Sequence, residues 1–78
     1  MLRVQLTPRR ALFVSLTDDT FPNKGGYYCQ VFEDEDGKCE RDTFTISKHE
    51  IAPSITDNTE RRKKAMVIAN QRVKQMYC

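Results

Sequence analysis

The chain has 78 residues, 13 basic and 11 acidic, with a net charge of +2; 31% of the residues are charged and 38% hydrophobic, which leaves material for only a thin core. A chain this short makes one domain and buries only about 60% of its unfolded surface, which excludes an enclosed substrate cavity. No segment approaches the ~20 apolar residues of a membrane span, and the opening MLRVQLTPRR has no apolar run of signal-peptide length, so a soluble, cytoplasmic protein without a membrane contact is expected.

Leu2, Val4 and Leu6 alternate with Arg3, Gln5 and Thr7, the period-two pattern of a strand with one buried face, and Pro8 interrupts it. The run RALFVSLT then places Leu12, Val14 and Leu16 on one side and Ala11, Phe13 and Ser15 on the other, as a central strand covered on both faces would. DDTFPNKGG, residues 18–26, collects turn formers and predicts an exposed loop. YYCQVFE, DEDG and KCERDTFTIS follow as two strands around a turn that closes on Gly37, with Phe44 and Ile46 facing the core and Thr43 and Thr45 facing away. Tyr27, Tyr28 and Phe32 are aromatic enough to raise the possibility of an RNA-stacking strand, but they alternate in and out, which is the signature of ordinary packing.

Ser47 and Glu50 have capping-box spacing, and Pro53 follows too soon for a long helix, so residues 47–52 are expected to form one helical turn ahead of the linker PSITDN. The last helix is predicted from near Asp57 to about Tyr77, its start marked by Asp57 and Glu60. On a helical wheel Ala65, Met66, Ala69, Val73 and Met76 form the docking stripe, with Ile68 and Tyr77 at its margins; Lys63, Lys64, Val67, Gln71 and Lys74 point away. The expected architecture is a single α+β domain over 1–78: a small antiparallel sheet of about four strands in the order β-β-β-β-α, one face covered by the C-terminal helix.

Charge is unevenly distributed along the chain. Residues 1–32 are net +2, residues 33–45 are net −4 and residues 46–78 are net +4. The acidic run Glu33, Asp34, Glu35, Asp36 sits at the hairpin tip, where it is either a solvated turn that discourages edge pairing or a contact for a basic protein. It lacks the ligand spacing of an EF-hand loop. The run ERRKKA, residues 60–65, puts Arg61, Arg62, Lys63 and Lys64 near a helix N-terminus, against the dipole, as either a solvated face or a phosphate contact.

Catalytic and metal motifs are missing from the pattern. His49 is the lone histidine, and no nucleophile elbow, phosphate loop or HExxH pair occurs, so no enzymatic activity, metal or cofactor is expected. Cys29, Cys39 and Cys78 have no CxxC spacing and are expected as reduced thiols, with Cys29 and Cys39 close enough across the hairpin for an adventitious disulfide under oxidation.

GYYCQVFEDEDGKCERDTFTIS ahead of an Ala-containing basic helix loosely resembles, over residues 26–78, the three-strand-plus-helix DNA-binding domains at the amino ends of some integrases. The resemblance implies sheet-mediated DNA contact through a basic sheet, whereas this hairpin is acidic. The leading expectation is therefore a non-enzymatic interaction protein that modulates or inhibits a larger protein or nucleoprotein through Glu33, Asp34, Glu35 and Asp36 and a helix face of Lys63, Lys64, Val67 and Lys74. The alternative is a nucleic-acid-binding module using Arg9, Arg10, Arg61, Arg62, Lys63 and Lys64.

Overall fold

The structure, a computed structural model, describes residues 1–77; Cys78 and the expectation placed on it lie outside the described residues. Four strands, β1 (Leu2–Thr7), β2 (Arg10–Asp18), β3 (Tyr27–Phe32) and β4 (Glu40–Ile46), precede a 3-10 turn at Lys48–Glu50 and the helix α1 (Asn58–Tyr77). The strands form one antiparallel sheet in sequence order, each hairpin-linked to the next, so β2 and β3 are central and β1 and β4 are edges. The α+β architecture expected from strand periodicity is the one observed.

Alternation decides which face α1 covers. Val4 lies opposite Leu12, Val14 opposite Val31, and Leu16 opposite Cys29, and these side chains are buried with Tyr27, Ile46 and Ile51 beneath Ala65, Ala69 and Val73 of the helix. The three helix residues have the i, i+4, i+8 spacing of a single stripe. Two alanines in it bring the helix backbone near the sheet, so a thin core still excludes water. Phe13 and Phe32 pair on the opposite face, outside this cluster, with Ala11, Phe13 and Ser15 only half-buried.

Met76 departs from the expected stripe: it is 40% exposed. The last helical turn passes over the hairpin end of the sheet, where the core-facing positions are no longer aliphatic. Tyr77 turns in instead, donates its hydroxyl to Asp42 Oδ2 at 3.0 Å, and lies between the guanidinium groups of Arg10 and Arg41. A phenol satisfies that mixed surface better than a thioether.

The expected proximity of Cys29 and Cys39 is also corrected. Cys29 pairs with Phe44 and is buried, whereas the Cys39 carbonyl accepts from the N–H of Glu33, four residues beyond Cys29 and just past the end of β3. Four strand residues span about 13 Å, beyond the ~7 Å Cα separation that a disulfide tolerates. Burial beneath the helix pushes the Cys29 thiol up to about 11. It is a core side chain.

Among the described residues from 26 onward the strands are β3 and β4, followed by the 3-10 turn and α1, so a three-strand-plus-helix unit has to borrow β2, and the sheet carries β1 as a fourth strand. Among the described residues no helix is long and apolar enough to cross a membrane.

Candidate functional site

The acidic turn is largely occupied with holding its own shape. Asp34 accepts from the backbone N–H of Lys38 and of Cys39, both at 3.0 Å, which closes the turn, and Gly37 takes a left-handed φ of 74° within it. Glu33 accepts from Arg41 and Arg10, and the Arg41 guanidinium holds its carboxyl below the usual range. That leaves Glu35 and Asp36 as the exposed acids of the four. The hairpin signal was legible in sequence, but the internal use of Glu33 and Asp34 was not.

The basic run on α1 divides in the same way. The Arg61 guanidinium donates to the carbonyls of Ile55 and Gly25, both at 2.8 Å, and Arg62 donates to the Leu16 carbonyl at 3.3 Å. Both arginines brace the helix start against the sheet and its loop. Lys63 and Lys64 are on the outer face with Val67, which is 52% exposed, and Lys74 lies two turns beyond Val67 on the same side. Lys63 has a loose partner in Glu60 at 3.5 Å, an exposed pair of the kind that contributes little.

Arg9 and Arg10 do not join this patch. They belong to the β1–β2 turn at the hairpin end, where Arg10 is engaged with Glu33 and Tyr77. Sixteen residues of helix, about 24 Å, separate Arg61 from Tyr77, so one nucleic-acid footprint built from Arg9, Arg10 and residues 61–64 spans opposite ends of the domain.

Sequence spacing gave no hint of a different basic grouping. Lys24 from the β2–β3 loop, Lys48 and His49 from the 3-10 turn, and Arg61 from α1 line one open cleft of about 320 Å³ with Pro53. Asn23 holds these segments together: its Oδ1 accepts from Lys48 N–H at 2.9 Å, while its Nδ2 donates to Asp19 Oδ2 at 2.8 Å and to the Ile46 carbonyl at 3.1 Å. Gly26 is buried beside it, so the loop is exposed only in part.

The 3-10 turn is anchored by the expected capping box, in which Ser47 Oγ accepts from His49 N–H at 3.1 Å and Glu50 accepts from Ser47 N–H at 2.8 Å. Glu50 also receives Arg72, which donates to the Thr45 carbonyl and lies over the Phe44 ring. Burial raises the Glu50 carboxyl, but the Ser47 N–H and the Arg72 guanidinium outweigh it, so the net shift is downward from the ordinary 4.5.

Glu33 and Glu50 both release protons more readily in the folded state, so the native protein binds fewer protons than the unfolded chain in mild acid. Their stabilisation is complete above an ordinary carboxyl value of 4.5 and is lost as pH falls through the lower folded values. Urea midpoints measured between about pH 6 and pH 3 should fall with acidification. Glu50→Gln should flatten that acid limb; an unchanged slope would show that the Glu50–Arg72 pair does not contribute.

The geometry defines a small α+β domain with exposed charge over much of its surface, including the outer lysines of α1, the cleft of Lys24, Lys48 and Arg61, and the hairpin acids Glu35 and Asp36. Comparison with protein-family models, curated proteins and solved structures finds no match to this chain.

Proposed function

We propose that this chain is a non-enzymatic binding module that docks on, and thereby modulates, a larger protein or nucleoprotein through the outward face of α1. The observation that carries the reading is Val67, half-exposed among Lys63, Lys64 and Lys74. An aliphatic side chain ringed by cations matches an acidic surface with an apolar dimple at its centre. Exposed lysines there accelerate encounter and set salt dependence, while the buried apolar contact supplies residence time. Glu35 and Asp36, on the β3–β4 hairpin turn, form a second contact to a basic patch on the same partner.

The test is partner capture from the source cell with three forms of the full chain. The native chain retains its partner; Lys64→Glu/Lys74→Glu loses it by tenfold or more, the order expected when charge reversal places like charges together. Glu35→Lys/Asp36→Lys weakens capture to a smaller extent. All four positions are exposed, so thermal stability should stay within about 0.5 kcal/mol of the native chain. Capture unchanged in both variants removes this assignment, and turnover of a substrate by the purified chain removes the non-enzymatic class.

A further inference from the structure

The β2–β3 loop presents Phe21 with 89% of its surface exposed. A single exposed aromatic side chain is ordinary on a protein surface, so what distinguishes Phe21 is the chemistry of its neighbours rather than its exposure. Its chain neighbour Pro22 accepts at its carbonyl from Lys48 Nζ at 3.0 Å, so Phe21 is next in the chain to a residue that meets one cation of the cleft formed by Lys24, Lys48, His49 and Arg61.

We infer that this corner binds single-stranded nucleic acid, with one base stacked on Phe21 and its phosphate in the adjoining cleft. Three independent features fit that ligand. First, Lys24, Lys48 and Arg61 converge on the cleft, and among the described residues lining it there is no carboxylate to oppose an anion. Asp18 and Asp19 line a second, adjoining cleft with Lys24 and Arg61, and the Asp19 carboxyl is turned to Asn23 and to the Thr20 N–H.

Second, two of the three cations, Arg61 and Lys48, are held in place before any ligand arrives. Arg61 uses two of its guanidinium hydrogens on the carbonyls of Gly25 and Ile55 and keeps others free, and Lys48 uses one ammonium hydrogen on Pro22. The main-chain position of Lys48 is held by Asn23. Little side-chain freedom is lost when a phosphate docks, which favours binding.

Third, a ring beside a cation cluster is the arrangement that reads single strands: every base has a π-face, and the backbone supplies the anion. A duplex hides its base faces, so Phe21 would have nothing to stack on. The site differs from the helix face assigned above to the protein partner, and the two are tested by different substitutions.

The experiment is fluorescence anisotropy of a labelled single strand of roughly 12 nucleotides, titrated with the full chain at about 50 and 200 mM salt. Loss of a stacked base weakens binding by roughly five- to a hundredfold, so Phe21→Ala should fall in that range while Phe21→Tyr retains affinity. Lys24→Gln should weaken binding and reduce the salt slope by about 0.7. Phe21 and Lys24 are exposed, and an unchanged melting temperature confirms that neither change acts through the fold.

Binding of a same-length duplex as tight as that of the strand overturns the proposal, as does Phe21→Ala at native affinity. A full loss on Lys63→Gln/Lys74→Gln, with Phe21→Ala silent, transfers nucleic-acid binding to the helix face and equally overturns it. Tighter binding of a nucleoside monophosphate than of the strand identifies a free nucleotide as the ligand and rejects the strand.

Discussion

Gly26→Ala is expected to destabilise the domain by roughly 2–4 kcal/mol, because a single methyl group there has nowhere to go. A Cβ at this position falls 2.3 Å from the Ile46 carbonyl oxygen and 2.4 Å from Asn23 Nδ2. One neighbour is backbone and the other is the amide that ties the β2–β3 loop to Ile46, so relief requires breaking the Asn23 bridge or moving β4. For a domain of this size each kcal/mol shifts the melting temperature by about 4–8 °C, so a drop of roughly 8–30 °C is expected in thermal unfolding followed by circular dichroism. A shift of only a degree or two would mean that the loop does not approach β4 this closely.

Gly37→Ala provides the comparison. Its Cβ would come within 2.9 Å of Met1 Cε, the far end of an exposed and flexible side chain, so the steric part can be relieved. What remains is the left-handed φ of 74°, worth about 1 kcal/mol. The two glycines rank by what surrounds them.

Ile51→Ala should cost about 2–5 kcal/mol, a large share of a total stability that scales to roughly 4–12 kcal/mol for this length. Ile51 is fully buried and ends the 3-10 turn, where it joins the core formed by Ile46, Ala65, Ala69 and Val73. Ile51→Val should cost only about 0.5–1.5 kcal/mol, since a smaller void is left. Urea unfolding measures both, and equal effects of the two substitutions would show that the loss arises outside packing. Because Lys48 and His49 precede Ile51 on the same turn, the alanine variant should also loosen the basic cleft, giving weaker single-strand binding than Ile51→Val.

The strands and the helix were legible because their signal is local and periodic. Leu12, Val14 and Leu16 declare a buried face by position alone, and Ala65, Ala69 and Val73 do so at helical spacing. The capping box of Ser47 and Glu50 was equally plain, since both of its hydrogen bonds form within one turn. Ile51 escaped notice: a single aliphatic residue before Ala52-Pro53 has no period to reveal it. Met76 was misplaced because a helical wheel records angle and knows nothing of what lies opposite, in this case Arg10, Arg41 and Asp42.

Charge was the property least readable from sequence. Glu33, Asp34, Glu35 and Asp36 are four equal acids along the chain, yet folding commits the first to Arg41 and Arg10, the second to two backbone N–H groups, and leaves the last two to solvent. Arg61 and Arg62 look like Lys63 and Lys64 until carbonyls from Gly25, Ile55 and Leu16 arrive to accept their hydrogens.

The amino-acid sequence by itself determined the α+β class, the order of elements along the chain, the hairpin tip and the outward lysines of α1, because each depends on neighbours within a few residues. Only the tertiary structure decided which charges are free and brought Lys24, Lys48, His49 and Arg61 to one cleft. The physical reason is that a hydrogen bond or a shared cleft depends on distance in space, and positions 24, 48 and 61 become neighbours only when the loop, the 3-10 turn and the helix pack at one end of the sheet.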